Sequence, residues 1–284
     1  MVKIMDFNRK WFLDGAMGSM LQLYGLKPGE SSDTQNLING DAVVEVHCKY
    51  LEAGADILTA NTFGSYSLHH DNADEIIKAA VKHMQTAIQK CGGEKKLMAL
   101  DMGPTGHLLE PYGDLTYKDC HETFLQAAQA GASAGVDLIL IETMMSLDEL
   151  KAAVQAAKTT GLPVIASMSF DKSGKTMMGD DIPTMASEME NLGADVVGMN
   201  CGYGPELYEE LIPQLAACTE LPIMVQPNAG LPDMIDGNAH YSMTPDVFAQ
   251  SMERISRQSA ICVLGGCCGT TPEHIREMIK VCRA

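Results

Sequence analysis

Eight short apolar runs recur along the chain, each ending in polar or glycine residues and each followed by a stretch with helical spacing. They are Phe12-Leu13, running into Asp14-Gly15, then 57–61, 97–101 and 138–142, followed by 164–168, 196–200, 223–226 and 261–264. Runs so short and so continuously apolar read as parallel strands buried on both faces. Between them, 41–53 puts Val44, His47, Cys48 and Leu51 along one helical face. The stretch 147–160 opens on Ser146 and Glu149 at capping-box spacing and stops at Gly161-Leu162-Pro163. Thr271-Pro272-Glu273 sets proline at a first helical position. Three related phrases, Ala53-Gly54-Ala55-Asp56, Ala134-Gly135-Val136-Asp137 and Leu192-Gly193-Ala194-Asp195, read as a glycine closing a helix and an Asp opening the next strand.

Eight such units in 284 residues predict an α/β protein with a (β/α)8 TIM barrel; a doubly wound open sheet is the alternative. No Pro- or Ser-rich linker interrupts the pattern, so residues 1–284 are expected to form one domain. In such barrels the chemistry sits at the C-terminal strand ends. Here these ends carry Asp14-Gly15-Ala16-Met17-Gly18, Asn61-Thr62-Phe63-Gly64, Gly103-Pro104-Thr105-Gly106 and Glu142-Thr143. The second half of the chain adds Ser169-Phe170, Asn200-Cys201-Gly202, Pro227-Asn228-Ala229-Gly230 and Gly266-Cys267-Cys268-Gly269.

Composition narrows the classes. A formal charge of −17 argues against binding a phosphate backbone. No apolar run is long enough to span a bilayer, and Trp11-Phe12-Leu13 is too short for a signal-peptide core. Nine cysteines form no even framework, and no Cys-x-x-Cys is present. These features lead us to expect a soluble enzyme of a reduced cytoplasm, with no nucleic-acid or membrane partner.

Three cysteines stand apart. Cys201, Cys267 and Cys268 all fall on the expected catalytic rim, and neighbours in sequence make a strained disulfide. Three thiolates on one ion with a fourth position open is the arrangement of a catalytic zinc. Cys48, Cys91, Cys120, Cys218, Cys262 and Cys282 read as structural, and the eight histidines as surface or supporting residues. Asp14 and Glu142 each end an apolar run; as a pair they could hold a substrate ammonium, or each could simply cap a helix. The glycines beside Asp14 would let backbone N–H groups approach a carboxylate. The segment 230–244 is long for a βα loop, a length typical of lids.

These rim motifs, with Gly265-Gly266-Cys267-Cys268-Gly269-Thr270-Thr271-Pro272-Glu273-His274 the most specific, resemble the homocysteine S-methyltransferase family over nearly the whole chain. The pattern is most like the N-terminal homocysteine-binding barrel of cobalamin-dependent methionine synthase. The resemblance implies one Zn2+ held by Cys201, Cys267 and Cys268, and L-homocysteine as substrate. It implies that Asp14 and Glu142 hold the ammonium while backbone amides near Gly15 and Ala16 take the carboxylate, and Asn200 is grouped with these binding residues. Zinc would make the thiolate, and the methyl would come from a methylcorrinoid on a separate protein or domain. The alternatives are an S-methylmethionine-type donor, a different thiol acceptor, or a non-catalytic subunit that docks a corrinoid protein. Two departures matter. The betaine-using branch has a tyrosine where this chain has Thr143, and full-length cobalamin methionine synthases continue into further domains, so a free-standing protein and an excised domain both fit.

Overall fold

The computed structural model describes residues 5–6, 9–27, 29–91, 95–235, 238–258 and 260–283; the two ends of the expected 1–284 unit, 1–4 and 284, lie outside them. Its strands are β1 (Trp11–Phe12), β2 (Ile57–Thr59), β3 (Leu97–Met102), β4 (Leu138–Met144), β5 (Val164–Met168), β6 (Val196–Asn200), β7 (Ile223–Gln226), β8 (Pro232–Ile235), β9 (Asn238–Tyr241) and β10 (Ile261–Leu264). The helices are α1 (Gly18–Gln22), α2 (Gln35–Ile38), α3 (Gly40–Ala53), α4 (Ala73–Cys91), α5 (Tyr117–Ala134), α6 (Leu147–Lys158), α7 (Ile182–Leu192), α8 (Pro205–Ala216), α9 (Pro245–Ser256) and α10 (Pro272–Cys282). Eight strands pair in parallel in the order β1-β10-β7-β6-β5-β4-β3-β2, and a parallel bridge from Leu13 to Ile57 joins the two edges. This is the expected (β/α)8 barrel. No described helix is long and apolar enough to cross a membrane.

Period-two alternation sorts each strand into an inner and an outer face. Leu13, Ile57, Leu97, Ala99, Leu138, Leu140, Ile165, Val196 and Met224 form one buried cluster inside the barrel, with Trp11 and Met5 in the same cluster. Their neighbours, such as Leu58, Leu100, Ile139 and Val197, belong to the larger cluster between sheet and helices. The inner apolar positions repeat every second residue and are followed, in the same register, by polar ones.

The three Gly-x-Asp phrases have a physical explanation. Gly54, Gly135 and Gly193 are left-handed C-caps of α3, α5 and α7, with φ of 104°, 98° and 73°. The Asp two residues on latches the preceding strand. Asp56 donates its N–H to the Phe12 carbonyl (2.7 Å) while its carboxylate accepts the Phe12 N–H (3.2 Å). Asp137 does the same to Met98 (2.8 and 2.9 Å), and Asp195 to Val164 (2.9 Å both ways). Each device closes the sheet at the barrel's N-terminal end.

Two details differ from expectation. The Ser146 hydroxyl caps the Glu149 N–H, but the Glu149 carboxylate crosses to the Thr105 N–H (2.7 Å) and hydroxyl (2.6 Å) instead of completing a box. A reciprocal box forms at α10, between Thr271 and His274. The long 230–244 segment contains the antiparallel hairpin β8–β9, with residues 236–237 outside those described.

Candidate active site

The strand register carries polar side chains to the top of the barrel. Continuing the inner face one step past the apolar layers gives Thr59, Asp101, Glu142, Ser167, Asn200 and Gln226, all buried or nearly so. Thr59, Asp101, Glu142 and Gln226 join Asp14 in lining a cavity of about 410 Å³, within the range of small-molecule sites. Each of these five has a buried oxygen without a hydrogen-bond partner: Asp14 Oδ1, Thr59 Oγ1, Asp101 Oδ1, Glu142 Oε2 and Gln226 Oε1. Burial without a partner is costly, so such a concentration of open oxygens, four of them on carboxyl or amide groups and one a hydroxyl, marks a place built for a ligand rich in donors. Burial pushes Asp14 up to about 7, against the lowering effect of the Thr59 N–H. Glu142 rises to about 8, through burial first and then the nearby Cys201 and Asp14.

The three predicted cysteines meet at the same cavity. Cys201 follows β6, and Cys267 and Cys268 follow β10. The Cys268 sulfur lies 3.9 Å from that of Cys201 and 4.0 Å from that of Cys267, and all three lie within 4.8 Å of one another. Sulfurs at about 2.3 Å from a tetrahedral zinc are roughly 3.8 Å apart, so the spacing and the soft donor set both fit that ion. Hydrogen bonds from Cys201 and Cys267 hold the Cys268 thiol far down, at about 3. Hydrogen bonds with Cys201 and Cys268 push Cys267 upward.

Local backbone geometry presents these groups. Cys201 has a φ of 63°, its N–H bonds the Gln226 carbonyl (3.0 Å), and its own carbonyl accepts the Tyr208 hydroxyl. Gly266 N–H reaches the Asp14 carbonyl (3.2 Å), which ties the first strand end to the last. Thr270 strengthens that tie: its hydroxyl accepts the Ala16 N–H (3.2 Å) and donates to the Cys267 carbonyl (2.8 Å). A Cβ on Gly15 would sit 2.7 Å from Thr270 Oγ1, and one on Gly266 would sit 2.5 Å from it, so both loops need glycine to close around this threonine. Asp14 Oδ2 accepts the Thr59 N–H (2.9 Å).

Asn200 lies behind the cavity rather than in its lining. Its amide oxygen accepts the Thr143 N–H (2.7 Å) and the Ser167 hydroxyl, and its Nδ2 donates to the Thr143 hydroxyl (2.7 Å). Thr143, which follows Glu142, has a φ of 61°. Two further residues bear on the site although the sequence reading omitted them. Asp101 ends an apolar run just as Asp14 and Glu142 do, and the same signal would have found it. Tyr241 of the hairpin lines the cavity beside Cys268. Its side chain packs against Gly269, where a Cβ would come within 2.1 Å of it. Nothing local in the sequence announces that contact. The other cysteines stay away from the cavity; Cys120, Cys262 and Cys282 are buried, while Cys218 is exposed.

Known proteins are similar in both sequence and fold. A family model described as homocysteine S-methyltransferase matches residues 11–282. The chain is 33% identical over 287 residues to a methionine synthase of Mycobacterium tuberculosis and 32% identical over 285 residues to one of Mycobacterium leprae. Each match covers 93% of this chain and 24% of the relative, so the chain spans about a quarter of their length. The metallated form of the homocysteine methyltransferase MmuM from Escherichia coli superposes with a TM-score of 0.79 at 20% identity, over 97% of this chain and 96% of that one. Its apo form gives 0.77 at 21%, over 96% and 95%; at such identities the likeness concerns the fold. The chain belongs to the homocysteine S-methyltransferase family.

Proposed function

We propose that this chain transfers a methyl group to the sulfur of L-homocysteine to form methionine, with Cys201, Cys267 and Cys268 holding one zinc ion. The observation that carries the reading is the meeting, in one cavity, of a three-sulfur cluster with a floor of unpartnered acceptor oxygens. Homocysteine matches both, since it offers a thiol at one end and an ammonium at the other. Zinc, when bound, supplies a lowered thiol pKa, so that the substrate can react as thiolate at neutral pH.

The chain's own residues then have separable tasks. Asp14 and Glu142 receive the ammonium, whose charge offsets the burial that pushes both carboxyls up. The backbone at Gly15 and Ala16 faces the substrate carboxylate, and the Ala16 N–H donates to the Thr270 hydroxyl (3.2 Å), which positions that turn. Asn200 holds the strained Thr143 and through it the direction of Glu142. Tyr241 lines the cavity beside Cys268 from the hairpin, which is the part of the site suited to act as a lid. The methyl donor is a methylcorrinoid carried by a separate protein or domain, a reading supported by the likeness to methionine synthases of which this chain spans a quarter. Thiolate ligation needs reduced cysteines, in keeping with the cytoplasm.

Zinc K-edge absorption with and without L-homocysteine tests the proposal. Three sulfurs and one light atom should become four sulfurs on addition. A zinc shell unchanged by homocysteine would point to another thiol or to a docking role, and a protein that takes up no zinc would remove the mechanism.

A further inference from the structure

We propose that Asp101 is a third carboxylate acceptor for the substrate ammonium and makes the pocket selective for thiols bearing a free primary amine. The inference rests on the reading that Asp14 and Glu142 face that ammonium. Asp101 is 93% buried, since its relative exposure is 7%, and it lines the same cavity with Oδ1 unpartnered. Its backbone is held independently: the Thr62 hydroxyl donates to the Asp101 carbonyl (2.9 Å) and accepts its N–H (3.3 Å). The carboxylate is therefore not needed to fasten β3. The latch acids Asp56, Asp137 and Asp195 make the contrast, because each of their carboxylates accepts a backbone N–H.

Charge points the same way. Asp14, Glu142 and Asp33 all raise the cost of ionising Asp101, after the larger effect of burial. Among the described residues no lysine or arginine forms an ion pair with Asp14, Asp101 or Glu142. A cluster of buried acids without a counter-charge is stable only if a cation enters or protons stay on it. A primary ammonium brings one positive charge and three N–H donors. Asp14 Oδ1, Asp101 Oδ1 and Glu142 Oε2 supply one open oxygen each. Gln226 Oε1 is also open, but a neutral amide is the weaker acceptor for a cation.

The test compares two ligands on the zinc-loaded protein by titration calorimetry: L-homocysteine and 4-mercaptobutyrate, which has the same thiol and carboxylate without the amine. Asp101→Asn should weaken homocysteine by roughly ten- to hundredfold, the loss of one charge-assisted hydrogen bond. It should leave 4-mercaptobutyrate within about twofold of wild type. Equal weakening of both ligands would mean that Asp101 only supports the cavity floor, and no weakening of either would mean that it does not touch the amine; both results overturn the proposal. A wild-type protein that failed to bind homocysteine would instead sink the proposed function itself. If Asp101→Asn loses its thermal transition, Asp101→Ser carries the same comparison with a smaller side chain.

Discussion

Thr143 and Cys201 are the two non-glycine residues, among those described, with a backbone in the left-handed region, and both adjoin the cavity. For a β-branched residue this conformation costs on the order of 1–3 kcal/mol and persists only where the surroundings enforce it. The Asn200 amide provides that enforcement at Thr143, with bonds to both its N–H and its hydroxyl. Asn200→Ala leaves buried donors unpaired, so we expect a loss of about 2–4 kcal/mol in denaturant unfolding. Homocysteine binding should also fall about tenfold, and unchanged affinity would show that this turn does not direct Glu142. At the cysteines, Cys267→Ala should reduce zinc content to near zero by metal analysis while the far-ultraviolet circular dichroism stays that of the barrel. Full turnover by that variant would refute the zinc-thiolate mechanism.

At the scale of elements, the hairpin and the Asp latches show how differently local and distant contacts are written. The latches lie within recurring Gly-x-Asp phrases because each acts between adjacent strands of the barrel. Asp137→Ala removes the partner of the Met98 N–H and should cost about 1–2 kcal/mol, read as a melting temperature a few degrees lower. The hairpin carries no such phrase. Leu231, Met234 and Ile235 are exposed, so its apolar residues follow no core alternation. It is held where Tyr241 packs on Gly269 and where the His274 ring bonds the Met243 carbonyl (2.9 Å). Gly269→Ala puts a methyl group into the Tyr241 ring and also places alanine at a φ of 78°. Limited proteolysis should then cut the hairpin several times faster than in wild type; equal rates would mean that the hairpin is anchored elsewhere.

For the whole molecule, burial of titratable groups sets the response to acid. His47, on the inward face of α3, is fully buried with neither ring nitrogen bonded, and burial lowers it to about 3. The unfolded chain takes up this proton near the usual pKa of about 6.5, whereas the folded chain does not until about 3. Between those values the unfolded state binds more protons, so stability is lost as pH falls, at up to about 1.4 kcal/mol per unit from this group. His47→Phe should therefore gain stability over wild type at pH 5 and gain much less at pH 8. Urea unfolding at both values would decide it, and an equal difference at each would remove His47 from the acid response.

Much of this protein was legible along the chain, because a parallel barrel writes its strands as buried apolar runs and its helix ends as glycines. Asp14, Glu142 and the three cysteines could be picked out because each sits where a run stops. Asp101 sits at such a stop as well, but an acid at a strand end can serve as latch, cap or ligand. Only the register, with Leu97 and Ala99 facing inward, puts it in the cavity. The half-formed capping box at Ser146 has the same lesson, since Glu149 found a better donor pair 44 residues away at Thr105. The sequence by itself determined the class of fold, the strand ends and the soft donor set, since these depend on residue type and short-range spacing. Tertiary structure alone decided which open oxygens share one cavity, that Asn200 serves Thr143, and that Tyr241 meets Cys268, because those are distances between groups that the chain brings together only when the barrel closes.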